Sequence, residues 1–128
     1  MENIYGFTLL KNGVKYDYSF KESLESLSPI TKEICIALGD GDDSTEEELQ
    51  NLHHLNLRLI HTIWEKNLKD GAIILSQQTN IALNKIRSLY SKENNPWGFY
   101  LQCDEVIHED DYELIKEDFK KASLNNCD

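Results

Sequence analysis

Two clusters of acids in this chain have the residue types and the placement that chemistry would need. The first, Gly39-Asp40-Gly41-Asp42-Asp43-Ser44-Thr45, follows the apolar run Ile34-Cys35-Ile36-Ala37-Leu38. The second, Asp104-Glu105, follows Trp97-Gly98-Phe99-Tyr100-Leu101-Gln102-Cys103. Each reads as a buried strand that discharges carboxylates at its C-terminal end. In open α/β sheets, ligands bind outside the carboxyl ends of the strands. Acids there can accept hydrogen bonds from a ribose or a base. They can also hold magnesium or manganese, which take one or two carboxylates and complete their shell with phosphate oxygens and water. The glycines Gly39 and Gly41 permit close backbone approach.

Each cluster also has a plainer reading. Asp40 to Thr45 can be a solvated turn in front of a capped helix. Glu109, Asp110 and Asp111, which follow the second cluster, suit the positive N-terminal end of the next helix. His108 reads as a cap or surface residue before it reads as a ligand. The block Gln77-Gln78-Thr79-Asn80 either faces a ligand or forms the solvent face of a helix, the latter by default. Trp64 and Trp97 read as packing residues. The chain has no Ser-His-Asp set, zinc-ligand spacing, GxxxxGK[ST] loop or GxGxxG fingerprint.

The elements that must position these residues alternate in type. Strands are expected over Tyr5 to Leu10, Glu33 to Leu38, Leu57 to Ile63 and Gly98 to Gln102. Helices are expected over Ser19 to Ser28, Thr45 to Leu52, Ile73 to Tyr90 and Asp110 to Ala122. Ser19-x-x-Glu22 and Ser44-x-x-Glu47 have the spacing of capping boxes. In the long third helix, Ile74, Ile81, Leu83, Ile86 and Leu89 are the residues available to cover a sheet. Trp64 to Gly71 and Ser91 to Pro96 read as loops. The order β-α-β-α-β-α-β-α implies a parallel sheet with right-handed crossovers.

Composition bounds the function further. At 128 residues the chain is one domain, assigned to 1–122 with a flexible tail at 123–128. A net charge of −10 argues against a nucleic-acid surface, which needs basic patches. A nucleotide ligand remains compatible with it, because a metal ion can invert the local charge. Three cysteines, two of them inside expected strands and none in a CxxC pair, suit a reducing cytoplasmic setting with packed thiols. The N-terminus lacks the basic and apolar regions of a signal peptide. No apolar run approaches the roughly 20 residues that span a bilayer, so no transmembrane segment is expected.

An ordered set of short motifs carries a resemblance. It comprises Gly6-Phe7-Thr8-Leu9-Leu10-Lys11-Asn12-Gly13, Tyr16-Asp17-Tyr18 with Glu22-Ser23, Ala37-Leu38-Gly39-Asp40 with Asp43-Ser44-Thr45, Gln77-Gln78-Thr79-Asn80-Ile81-Ala82-Leu83, and Phe99-Tyr100-Leu101-Gln102-Cys103-Asp104-Glu105-Val106-Ile107-His108. Together these resemble bacterial family-2 glycosyltransferase-like proteins over nearly the whole chain.

The resemblance implies the GT-A fold, a Rossmann-like, mostly parallel α/β sheet in the order 3-2-1-4 with flanking helices. Asp40 and Asp104 would then face one crevice. It also implies a nucleotide-diphospho-sugar donor of UDP or GDP type and a divalent cofactor, manganese or magnesium. Asn12, Asp40, Asp43 and Asn80 match positions near the nucleotide. Asp104 matches the metal-binding aspartate of the family's DxD motif, with Glu105 as a second ligand. Gln102 stands where the motif has its first aspartate.

Family members continue into an acceptor-binding half that supplies a general base, and no residue here is assigned that role. The expectations are therefore a donor-binding half of a transferase, or a non-catalytic nucleotide-sugar-binding or interaction module on the same fold. An open sheet edge would favour self-association or a partner subunit. A receiver-like signalling domain is a further alternative on length, acidity and topology. It lacks the paired acids after the first strand, where Lys11-Asn12-Gly13 stands instead.

Overall fold

The structure, a computed structural model, describes residues 3–64 and 71–125. Strands β1 (Ile4–Leu10), β2 (Ile34–Gly39), β3 (Leu57–Thr62) and β4 (Trp97–Tyr100) form one sheet in the order β3-β2-β1-β4, and every pairing is parallel. Helices α1 (Phe20–Leu27), α2 (Thr45–Gln50) and α3 (Gly71–Tyr90) are the crossovers, and α4 (Tyr112–Leu124) follows β4. The 3-2-1-4 order is thus the one expected from sequence. It excludes the receiver-like alternative, whose doubly wound order places the third strand beside the first.

Burial on both faces explains the largely apolar character of β1 and β2. Alternate residues of β2 point to opposite layers. Ile34, Ile36 and Leu38 meet Leu10, Leu24, Leu27 and Leu49 in a core with α1 and α2, and Tyr112 and Ile115 of α4 pack on the same core. Cys35 and Ala37 meet Tyr5, Phe7, Ala82 and Ile86 under α3.

The covering face of α3 differs from the expected one. Ala82 and Ile86 are buried and Leu83 is half-buried, while Ile81 and Leu89 are exposed. The sheet beneath offers the small side chains Cys35 and Ala37, so the helix turns its small Ala82 inward and lies close. Gln78, one turn before Ala82, is also buried, and Thr62 Oγ1 donates to its amide oxygen at 2.5 Å.

Other boundaries move by a few residues. β4 leaves the ladder at Tyr100, two residues before the expected end. α4 begins at Tyr112 after a 3-10 turn over Glu109–Asp111. It runs through Ser123 and Leu124, beyond the expected start of the tail, and Trp97 Nε1 donates to Ser123 Oγ at 2.9 Å. The expected loop over Trp64 to Gly71 falls largely outside the described residues, and Gly71 itself opens α3. Neither expected capping box forms, since the Ser19 and Ser44 side chains cap nothing.

Cys35 and Cys103 are free and buried, as the cysteine pattern suggested, and Cys127 lies outside the described residues. Among the described residues no helix is long and apolar enough to cross a membrane.

Candidate functional site at the carboxyl edge of the sheet

The strand order makes β1 the pivot: the chain moves from it to β2 and β3 on one side, then returns to place β4 on the other. Beside such a switch point the connections leave the carboxyl edge in opposite directions and open a crevice. Two recesses open there. One, of about 200 Å³, lies beyond the ends of β1 and β4 and is lined by Lys11, Tyr18, Trp64, Tyr100, Gln102 and Asp104, among others. The other, of about 500 Å³, lies beyond β2 and β3 and is lined by Asn12, Asp40, Asp43, Glu46, His61 and Thr62, among others.

The loop after β2 is a built structure. Asn12 follows β1 in the left-handed region, at φ 52, a conformation that asparagine tolerates better than most residues. Its buried side chain reaches under the loop, where Oδ1 accepts the Asp42 backbone N–H at 2.9 Å. A Cβ on Gly41 would come within 2.4 Å of that oxygen, so only glycine lets the loop pass so close. Asp43 closes the other side. One carboxylate oxygen accepts from Thr45 N at 3.1 Å and Thr45 Oγ1 at 2.6 Å, and the other from Lys15 N at 2.8 Å. Burial would raise the Asp43 pKa, but these hydrogen bonds outweigh it and hold the group below the usual aspartate value. Asp43 thus accepts from the first N–H of α2, while the Ser44 side chain caps none. Asn12 and Asp43 line the recess and also hold it in shape.

Asp40 stands between the recesses. One of its oxygens accepts the Trp64 backbone N–H at 3.2 Å and lies 3.7 Å from Lys11 Nζ. Lys11 Nζ is also 4.9 Å from the centre of the Trp64 ring, within cation–π range. Across the larger recess His61 Nε2 pairs with the Glu46 carboxylate.

The second acid cluster hangs on α1. Ser23 Oγ donates to the Gln102 carbonyl at 3.1 Å, Ser26 Oγ accepts from Ile107 N at 3.0 Å, and Tyr112 Oη donates to the Ser26 carbonyl at 2.5 Å. These bonds account for two buried serines on an otherwise apolar helix face. They fix the turn that carries Asp104, which is exposed and lines the smaller recess. Glu105 is used differently. Its carboxylate accepts Gln102 N at 3.0 Å while its own N–H returns to the Gln102 carbonyl at 2.9 Å, so it closes the turn on itself. His108 is a cap, its Nδ1 accepting from Asp110 N at 3.1 Å.

The structure therefore brings Asn12, Asp40 and Asp43 together in one recess and puts Asp104 in its neighbour. Asn80 is exposed on α3 and lines neither, because the helix turns Gln78 to the sheet instead. Sequence reasoning passed over Lys11, which is the only lysine or arginine lining either recess among the described residues, and it read Trp64 as a packing residue. Their signal was position alone: Lys11 sits at the tip of the central strand, and Trp64 just beyond the tip of β3.

No protein-family model matches the chain, and no curated protein does. Among solved structures, the crystal structure of S. aureus TarS matches with a TM-score of 0.64 at 15% sequence identity. TarS is a glycosyltransferase. The fold is glycosyltransferase-like. The match covers 93% of this chain and 20% of TarS, so the chain spans about a fifth of that protein's length. At this identity the likeness extends to the fold and to no residue role.

The donor set at the smaller recess limits what a divalent metal could use. Among the described residues no group of three or more His, Cys, Asp or Glu side chains converges. With Glu105 engaged at Gln102, Asp104 is the exposed carboxylate that lines this recess among the described residues. The residues fit the mode in which magnesium or manganese keeps one protein carboxylate and takes its other ligands from phosphate and water.

Proposed function

We propose that this chain is the donor-binding part of a family-2, GT-A-type glycosyltransferase and binds a nucleotide-diphospho-sugar at the carboxyl edge of its sheet. One observation carries the reading: the 3-2-1-4 parallel sheet of a glycosyltransferase-like fold puts Asp40 and Asp104 on neighbouring recesses at its carboxyl edge, the Asp104 recess at the switch point. In it, Asp40 accepts hydrogen bonds from the nucleoside, and Asn12 and Asp43 keep the loop that shapes its seat. Asn80 takes part only through a ligand that extends over α3. Asp104 orients the diphosphate end through a manganese or magnesium ion. That ion, when bound, supplies neutralisation of the leaving diphosphate. The sugar then passes to an acceptor outside these residues.

A second reading has an observation in its favour. With Glu105 closing its own turn and Gln102 in place of an acid, one carboxylate among the described residues faces the smaller recess. That set suits a module that binds the donor without turning it over. Calorimetry with UDP and GDP, each with and without manganese, tests binding for both readings. Hydrolysis of UDP-sugars and GDP-sugars by the isolated chain separates them: turnover supports the transferase, and saturable binding without turnover supports the module.

A further inference from the structure

We propose that Trp64 and Lys11 form a displaceable partition between the two recesses, and that a diphosphate group opens it by drawing Lys11 off the indole. The inference deepens the nucleotide-binding reading and rests on it.

Trp64 sits in an unusual way for a packing residue. Its indole nitrogen lies over Gly39, and a Cβ there would fall 2.5 Å from Nε1. That nitrogen is buried, yet its N–H finds no hydrogen-bond partner among the described residues. A buried donor left unpaired loses the bond it would make with water, so this ring position is a compromise. The ring is kept there by the absent side chain at Gly39 and by the Lys11 ammonium, 4.9 Å from its centre. Its backbone is fixed independently, through the N–H bond to Asp40. The side chain can therefore turn about an anchored backbone.

Among the described residues the two recesses share no lining residue. Lys11 and Trp64 line the smaller one, while their partners Gly39 and Asp40 line the larger. Among the described residues that line the recesses, Lys11 is the lysine available to a phosphate anion, in a chain of net charge −10. A diphosphate at Lys11 competes with both the Asp40 carboxylate and the indole face. Once the ammonium leaves, the ring loses its cation–π partner, regains a partner for its N–H by turning outward, and offers a face on which a base can stack. The recesses then join into one elongated cleft.

The test uses the wild-type chain labelled with 5-fluorotryptophan, which gives two fluorine resonances, from Trp64 and Trp97. Loss of one in Trp64→Phe assigns them. Pyrophosphate and UDP are titrated in turn, with calorimetry alongside. The partition predicts a saturable shift of the Trp64 resonance with both probes and a stationary Trp97. It predicts at least a tenfold weaker pyrophosphate response in Lys11→Met, and a Trp64 resonance already displaced without ligand in Gly39→Ala. UDP binding by calorimetry with an unmoved Trp64 resonance overturns the partition and leaves the nucleotide-binding reading standing. Absence of binding by either probe overturns both.

Discussion

The Lys11 ammonium lies 3.7 Å from the Asp40 carboxylate, and this pair ties the tip of the central strand β1 to the tip of its neighbour β2. Both side chains are partly exposed, so the pair itself contributes at most about 1 kcal/mol to stability. Asp40→Ala should therefore leave the thermal midpoint within a few degrees of wild type, while weakening UDP binding at least tenfold in calorimetry. A large fall in the midpoint with unchanged affinity would make Asp40 a structural residue only.

Asp104 and Glu105 are adjacent in sequence and separate in role. Asp104→Ala should abolish any manganese-dependent gain in donor affinity and leave the fold intact. Glu105→Ala removes the acceptor for Gln102 N and should cost about 1 kcal/mol, the usual net worth of one hydrogen bond, with little effect on manganese dependence. Denaturant unfolding beside calorimetry reads both. Equal effects on manganese dependence from the two variants would return Glu105 to the metal.

The loop after β2 depends on a pair that should behave non-additively. Gly41→Ala drives a Cβ against Asn12 Oδ1 and should destabilise the chain by about 1–3 kcal/mol, as overpacking does. In an Asn12→Gly background the obstructing oxygen is gone, and the same substitution should cost much less. A double-mutant cycle in urea measures the coupling. Strict additivity would show that the contact does not hold the loop.

Acid should unfold the chain partly through Glu33, which lies at the opposite end of the sheet from the recesses. Burial raises its pKa, but bonds from Arg58, with Nε at 2.6 Å, and from Tyr90 outweigh burial and hold it below the ordinary 4.5. A carboxylate whose folded pKa is depressed contributes stability above its unfolded value and loses it as pH falls through the folded one. Stability should therefore decline as pH drops below about 4.5, and Glu33→Gln should flatten that decline. Urea midpoints measured from pH 3 to 7 test it, and an unchanged slope in the variant would contradict the assignment.

The sheet was legible because its strands announce themselves. Ile34 to Leu38 is apolar at every position, which suits a strand covered on both faces, and the turns around Asn12-Gly13 and Gly39-Asp40 bound it clearly. The face of α3 was not legible. Its choice of Ala82 over Ile81 depends on Cys35 and Ala37 lying beneath, which is a tertiary fact.

The same limit applies at the site. Asp40 and Asp104 could be read from their places at strand ends. Whether an acid faces a recess, holds its own turn or does both depends on backbone geometry beyond the strand: Glu105 closes its turn, and Asp43 holds its loop while lining the recess. Lys11 gained its meaning only when Trp64 and Asp40 were found beside it.

The central claim is that the carboxyl edge of this sheet is a nucleoside-diphosphate site. A thermal unfolding series with UDP and GDP, with and without manganese, tests it most directly, because a ligand that binds only the folded state must raise its stability. At a hundred times the dissociation constant the gain is about 2.7 kcal/mol, or roughly 10 °C for a chain of this size. A rise of that order with at least one diphosphate, reduced in Asp40→Ala, is the expected result. A midpoint that stays fixed for both nucleotides up to millimolar concentrations, with and without manganese, would contradict it.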